Sequence, residues 1–340
     1  MAFLRTTRWR LPILAAGLAG LLALAGCGGP FPQSTLDPVS DFATKIDRLF
    51  MSIFWWAVGV FVVVEGLLIY VLFRFRDRGG EGRPEQVHGS IPLEIGWTLV
   101  PAVILVLIAV PTIQTIWEVD NPPTDADALQ VEVVGHQWWW EFNYPELGVT
   151  TANEIHVPVD RTVQLTLRSA DVIHSFWIPR VGGKRDVNPG TTTGLWFTVD
   201  SAGRYPGQCA EFCGTAHALM GLSLVAEDSA DFRAWVENQK APADTPTTGL
   251  EQAGKEAFVE SACISCHTIR GTMAQGIIGP DLTHLASRER IAAEVLPNDS
   301  AAMARWLHDP QAVKPANKMQ IPDLDDQTVR ELIAYLQSLE

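Results

Sequence analysis

Three stretches of the chain are apolar almost throughout. Leu11 to Ala25 follows Arg5, Arg8 and Arg10 and is too short to be a membrane span. Leu49 to Phe75 is long enough to cross a bilayer as a helix, as is Ile95 to Trp117 despite Pro101. From Leu129 to Glu227 the pattern becomes short and alternating. Leu129-Gln-Val-Glu-Val-Val134, Val163-Gln-Leu-Thr-Leu167 and Leu195-Trp-Phe-Thr-Val199 are rich in β-branched and aromatic residues, and clusters such as Val187-Asn-Pro-Gly190 separate them. Many short strands with turn punctuation predict an all-β sandwich or barrel. Towards the C-terminus the period is helical. Thr248-Gly-Leu-Glu251 reads as a capping box ahead of a helix through Ala253 to Ala262. Val329, Leu332, Ile333, Leu336 and Leu339 share one face of a last helix that starts near Asp325.

These changes of period divide the chain into five parts: a leader over 1–26, a tether and two-helix hairpin over 27–120, a β domain over 121–238, a linker over 239–248 and a helical unit over 249–340. The fold class is multidomain, with a transmembrane hairpin, an all-β sandwich and an all-α unit. Hydrophobic residues make up 47% of the chain and mean hydropathy is +0.10, in keeping with membrane spans. Trp55, Trp56 and Tyr70 suit interfacial belts, and Arg74, Arg76, Arg78 and Arg83 mark the cytoplasmic side after the first span. Asp120, Asp125 and Asp127 follow the second. Everything after residue 118 is therefore expected outside a bacterial cell membrane. The leader ends in Leu24-Ala-Gly-Cys27, which resembles the lipoprotein cleavage box, so Cys27 is expected to carry lipid. The formal charge of −14 makes a poor nucleic-acid binder and a plausible docking surface for basic partners. Pro and small residues in the linker predict a semi-flexible tether.

Chemistry concentrates in Cys209-Ala-Glu-Phe-Cys213-Gly-Thr-Ala-His217-Ala-Leu-Met220. Thiolate, imidazole and thioether are the donors that electron-transfer copper sites combine. A single copper needs one thiolate; the C-x3-C spacing can turn two sulfurs to one side, where each can bridge two metal ions. A further ligand must come from a distant strand, and His174 in Ala170-Asp-Val-Ile-His-Ser-Phe-Trp177 is the best candidate. The alternatives are a disulfide, which has no use for the adjacent His, and zinc, which rarely recruits Met. The reading is a binuclear copper centre. Farther on, Cys263-Ile-Ser-Cys266-His267 is the C-x-x-C-H signature of covalent haem c, with His267 as one iron ligand. The other axial ligand is sought among Met273, Met303, Met319, His284 and His308. Met303 lies in a helical stretch with Trp306 and reads as core, whereas Met319 lies in a loop, Val313 to Pro322, that breaks helix on both sides. The five cysteines then have separate tasks, and none is left for a disulfide.

The copper loop, with Gly135-His-Gln-Trp-Trp-Trp140 upstream, resembles subunit II of the haem-copper cytochrome c oxidases over residues from about 40 to 238. A second resemblance, to class I cytochrome c, covers 249 to 340, so the whole is similar to the oxidase variant whose subunit II carries a fused cytochrome c. The resemblance implies a cupredoxin fold, with Cys209 and Cys213 as bridging thiolates and His174 and His217 as terminal imidazoles. It makes Met220 a weak axial ligand of one copper and the Glu211 carbonyl that of the other. It also implies that the Glu211 side chain reaches a magnesium ion shared with subunit I, a hard cation suited to carboxylate. By the same resemblance Trp138 is the exposed electron-entry tryptophan, and Glu94 helps admit protons to a channel in subunit I. Gly279-Pro-Asp-Leu282 matches the loop whose proline carbonyl orients the ligating histidine, and Met319 precedes the final helix as in class I cytochromes c. His136 and His156 match no metal role and read as structural. Asp171 stands where an acid is expected beside the entry patch, but Asn143 replaces another. Trp138 and Trp140 are expected on one face of a strand and Trp139 on the other. Glu65, within the first span, reads as a neutral glutamate bonded to a neighbouring subunit or as a functional carboxylate.

Together these features predict the electron-input subunit of an aerobic terminal oxidase. Electrons enter at haem c from a c-type cytochrome or an upstream respiratory complex, pass through the copper, and reach the haem centres of subunit I, where oxygen is reduced with proton pumping. The rival readings are a nitric or nitrous oxide reductase component, a copper chaperone or storage lipoprotein, and a quinol oxidase subunit. The haem signature speaks against storage, and the intact copper ligands speak against the quinol branch.

Overall fold

In the computed structural model, described over residues 31–76 and 89–340, the two long apolar stretches form helices α1 (Asp41–Arg74) and α2 (Ile91–Asp120). The leader, Cys27, Arg78 and Arg83 lie outside the described residues. α1 begins well before Leu49 because Ser40 caps it: the hydroxyl accepts from the Ala43 amide, and Asp41 sits in the first turn. Those first turns pack on the β domain. Phe42 is buried edge-on against Trp196 at 5.8 Å, and Lys45 lies over the same indole. α2 begins with Pro92 and Glu94 in its first turn and runs through Pro101 and Pro111. Its far end is held where the Trp196 indole donates to the Val119 carbonyl at 2.9 Å. Between these anchors both helices present apolar side chains outward and are long and apolar enough to cross a bilayer.

The alternating stretches build two facing sheets. One contains β1 (Leu129–His136), β2 (Trp139–Tyr144), β3 (Val149–Ala152), β5 (Thr162–Ser169) and β8 (Thr193–Thr198), in the order β3-β2-β1-β5-β8. The other contains β4 (Glu154–Pro158), β6 (His174–Trp177), β7 (Arg185–Val187), β9 (Gly203–Cys209) and β10 (Gly221–Glu227), in the order β4-β10-β9-β6-β7. Along β1, Leu129, Val131 and Val133 point into the core and their neighbours outward. Trp140 and Phe142 from β2 meet Phe176 from β6 edge-on, which joins the sheets. α3 (Ser229–Lys240) packs Phe232 and Val236 against them.

The tryptophan run is not one strand. His136 pairs with Trp139, so Gln137 and Trp138 form the turn of the β1–β2 hairpin. Trp140 is wholly buried, and Trp139 stacks on His136 at 4.2 Å. Strand alternation thus does not govern Trp138, and its side chain is buried, not exposed.

The C-terminal unit comprises α4 (Gly249–Glu260), a 3-10 turn at Cys263–Ser265, β11 (Arg290–Ile291), β12 (Leu296–Pro297), α5 (Ser300–His308), α6 (Pro310–Val313) and α7 (Asp326–Leu336). The capping box of Thr248 and Glu251 forms at the start of α4. α4 crosses α7 at Gly254, where a Cβ would lie 2.0 Å from the Glu331 carbonyl oxygen. Phe258, Met303, Leu332 and Leu339 fill the core between the helices.

The segment joining α3 to α4 is not a free tether. The Ala243 amide donates to the Arg270 carbonyl at 3.0 Å, the Ala241 carbonyl accepts from His284 at 3.1 Å, and the Arg270 guanidinium reaches the Gln239 carbonyl. Its polar groups find partners in the unit that follows, and Gln33–Glu340 is one compact body.

Candidate metal centres

Four local features bring the copper-loop side chains together. β9 ends at Cys209, the following loop returns Cys213, a 3-10 turn at His217–Leu219 presents His217, and Met220 leads into β10. His174 opens β6, which pairs with β9. Gly135 makes room for it, since a Cβ there would come within 2.9 Å of the imidazole. The Cys209 and Cys213 sulfurs are 3.8 Å apart, too far for a disulfide, and both thiols are free. His174 Nδ1 lies 3.9 Å from Cys209 Sγ, and His217 Nδ1 lies 3.6 Å from Cys213 Sγ. Met220 Sδ is 3.8 Å from Cys213 Sγ, and the Glu211 carbonyl oxygen is 3.3 Å from Cys209 Sγ. Among the described residues, the donor atoms of His174, Cys209 and Cys213 form a buried cluster within 4.8 Å of one another. The contact between the two thiols favours a thiolate at Cys209, while that same contact and burial push the Cys213 thiol up. Soft donors without a hard carboxylate suit copper better than calcium or magnesium.

Asp171 orients this set. Its Oδ1 lies 2.9 Å from His174 Nε2, which leaves Nδ1 facing the sulfurs. Burial opposes its ionisation, but bonds from His174, the Gln137 and Val172 amides and Lys318 outweigh that and hold the carboxyl well below the usual range. The Trp138 indole donates to the Cys213 carbonyl at 3.0 Å, placing the tryptophan on the copper loop. Glu211 turns its carboxylate to the Phe212 amide at 3.2 Å.

The C-x-x-C-H residues line a largely apolar cavity of about 550 Å³. His267 Nδ1 donates to the Pro280 carbonyl at 2.8 Å, so the Nε2 lone pair is available. Burial lowers the pKa of His267 and keeps the ring neutral, as a metal ligand requires. Of the five axial candidates, Met303 and Met319 line the cavity. Met303 is buried in the helical core, while Met319 sits on the loop with its amide held by Asn317. His284 is engaged with two carbonyls, His308 is paired with Asp326, and Met273 is exposed. The cavity and its thiols fit a porphyrin. Its wall also includes Trp138 and Asp171 of the copper unit, so the two candidate centres share a boundary.

Several residues at this boundary were invisible to sequence reasoning. Lys314 is buried, and its Nζ donates to the Trp138 carbonyl at 2.6 Å and the Ala292 carbonyl at 3.0 Å; burial pushes its pKa down to about 7. Lys318 pairs with Asp171 at 3.2 Å. Arg204 joins Glu154 of the β domain to Glu294 and Glu289 of the C-terminal unit. None belongs to a motif, and their partners are remote in sequence.

Glu94 and Glu65 stand on the two membrane helices, apart from these centres. His136 faces Glu141 at 3.5 Å, and His156 lies between Glu154 and Glu227, stacked on Trp235.

Cytochrome c oxidase subunit 2 of Alkalihalophilus pseudofirmus is 39% identical over 326 residues, covering 94% of each chain. The chain belongs to the cytochrome c oxidase subunit II family. Residues 32–115 match the transmembrane domain of that family and residues 147–227 its periplasmic domain; residues 251–340 match cytochrome c. The subunit 2 of Bacillus subtilis is 38% identical and covers 98% of each chain. A crystal structure of the periplasmic domain of subunit II of cytochrome oxidase from Bradyrhizobium japonicum aligns at 30% identity over 35% of this chain and 97% of that one, with a TM-score of 0.33. By the family matches and its two-sheet topology, the sandwich is a cupredoxin-like oxidase domain between a membrane hairpin and a cytochrome c unit. Family membership implies copper A and haem as the groups the two centres serve.

Proposed function

We propose that this subunit II is the electron-input chain of an aerobic terminal oxidase. Its cytochrome unit takes electrons from a donor such as a c-type cytochrome or an upstream respiratory complex. Its copper unit hands them to subunit I, where oxygen is reduced to water with proton pumping. The observation that supports this best is the convergence of Cys209, Cys213, His174, His217, Met220 and the Glu211 carbonyl on one site beside the cavity of Cys263, Cys266 and His267.

In this reading Cys209, Cys213, His174, His217, Met220 and the Glu211 carbonyl would hold the copper, the two thiolates and two imidazoles as the main donors and the thioether and carbonyl as weaker ones. Cys263 and Cys266 would attach the haem through their sulfurs, and His267 and Met319 would be the residues that ligate its iron. When bound, the copper pair and the haem iron supply one-electron carriers. The protein's own part is rigidity: β6 and β9 hold His174 and Cys209 in one sheet, the connection from β9 to β10 carries the other copper donors, Asp171 fixes His174, and Pro280 fixes His267. The Glu211 carboxylate serves a magnesium ion shared with subunit I. Trp138 is the electron portal, and Glu94 serves proton entry. The domains 27–120, 121–238 and 249–340 divide anchoring, copper and haem functions, with 239–248 as connector. The β domain and cytochrome unit lie on the outer face of a bacterial cell membrane, and Cys27 carries the lipid anchor.

Electron paramagnetic resonance of the purified oxidase tests the copper assignment. The wild-type complex is expected to show a delocalised mixed-valence pair, and Cys213→Ser to destroy it, since one thiolate cannot hold two coppers in close electronic contact. Isolated single-copper hyperfine structure in the wild type would sink the binuclear assignment. Turnover with oxygen against nitrogen oxides separates an oxidase from a nitrogen-oxide reductase.

A further inference from the structure

Lys314 is the one lysine among the described residues that is buried, at 4% exposure. Burying an ammonium is costly unless its donors are satisfied. Here two of its three donors are met by backbone carbonyls in different units, Trp138 of the copper unit at 2.6 Å and Ala292 of the cytochrome unit at 3.0 Å. Trp138 in turn donates its indole N–H to the Cys213 carbonyl at 3.0 Å. A run of hydrogen bonds thus joins Ala292, Lys314, Trp138 and the copper loop along one wall of the cavity that holds Cys266 and His267. The lysine is itself held from within its own loop. Its amide donates to the Pro310 carbonyl at 2.9 Å and its carbonyl accepts from Asn317 Nδ2 at 2.7 Å, while Asn317 Oδ1 accepts the Met319 amide at 2.8 Å. The loop that presents Met319 to the cavity therefore also carries the strut to Trp138.

We propose that Lys314 is a positioning residue for electron transfer between the two units, holding the haem cavity against the Trp138 turn. This rests on the relay described under the proposed function. Lys318 makes a parallel contact to Asp171 at 3.2 Å, but its side chain is 58% exposed. An exposed pair of this kind is screened and contributes little. The buried Lys314 bonds, shielded from water and joining backbone carbonyls of two units, are the stronger constraint.

The test uses the purified oxidase containing the full chain. Lys314→Met keeps the apolar stem and removes every donor; Lys314→Gln keeps an amide that ends one bond short and reaches only one of the two carbonyls. Haem-to-copper transfer after flash reduction is expected to fall about tenfold or more in Lys314→Met and about threefold in Lys314→Gln, because ångström-scale misplacement is costly. The copper resonance and the methionine-to-iron charge-transfer band should be unchanged, while amide hydrogen exchange over 136–139 and 290–295 rises. Lys318→Met should change the rate by less than about twofold. A native transfer rate in Lys314→Met overturns the proposal; if that variant does not assemble, a native rate in Lys314→Gln does so. A wild-type complex without haem-to-copper transfer, but with faster exchange at 290–295 in Lys314→Met, refutes the relay and leaves the strut in place.

Discussion

His156 shows how a single residue without metal chemistry shapes the β domain. It stacks on Trp235 at 4.3 Å and faces Glu227 at 3.1 Å and Glu154 at 3.8 Å. Burial opposes its charging, but the two carboxylates outweigh that and raise its pKa above 6.5. Its contribution to stability is therefore full below about pH 6.5 and is lost as pH rises through the raised folded value. Glu154 behaves oppositely: burial opposes its ionisation, His156 and Arg204 more than compensate, and its contribution is full above about 4.5. Both are complete between those values. His156→Gln is expected to flatten the loss of stability above pH 6.5, measured by denaturant unfolding across pH; an unchanged slope would show that another group carries it. The copper-loop donors were legible in the sequence because five of the six lie within twelve consecutive positions and their chemistry is distinctive. Asp171 and Lys314 were not legible as interacting residues. Asp171 accepts the Gln137 amide 34 positions away, Lys314 reaches Trp138 across 176, and neither pairing leaves a local pattern.

At the scale of elements, period and punctuation carried most of the information. The strands around Leu129, Val163 and Leu195 read as strands because alternation with β-branched residues is a direct image of a half-buried pleat. The same logic failed at Trp138, where high strand propensity concealed a turn fixed by the pairing of His136 with Trp139. It also failed at the start of α1, whose first turns carry Asp41, Thr44, Lys45 and Asp47 and so lie outside any apolar window. Phe42 shows why they are helical: a capped extension buries it on the sandwich. The α4–α7 crossing is an element-scale feature with a sharp test. Gly254 brings the helices so close that any side chain there meets the Glu331 backbone. Gly254→Leu should force the helices apart and cost the cytochrome unit about 1–3 kcal/mol or more, despite the better helix propensity of Leu. Thermal unfolding followed at the haem band measures it, and an unchanged midpoint would mean that the helices part freely.

The molecule as a whole is organised by the boundary between its two extramembrane units, which no stretch of sequence announces. Pro and small residues in 239–248 suggested free movement, yet the structure ties that segment down and closes the boundary with charge. Arg204 on β9 reaches Glu154 at 2.7 Å in its own domain and Glu294 at 3.0 Å in the other, and Ser223 supports Glu294 at 2.8 Å. Contacts spanning 90 and 135 positions cannot be read from local pattern. Burial raises the pKa of Glu294, whereas Arg204 offsets part of that cost by pairing with it. Arg204→Met keeps most of the packing but leaves the buried Glu154 and the partly buried Glu294 without their shared cation. Breaking a buried pair in this way costs about 3–5 kcal/mol, and the low end applies because Arg204 retains 23% exposure. About 3 kcal/mol taken from docking raises the undocked population roughly a hundredfold. That population exposes 241–248, so proteolytic nicking of the segment should accelerate by a similar factor when reclosing outpaces cleavage. Adding Glu294→Gln removes one uncompensated charge and should restore part of the protection, since Glu154 keeps His156 as a partner. Nicking at the wild-type rate in Arg204→Met would show that the Lys314 contacts and apolar packing hold the units together without the charge cluster.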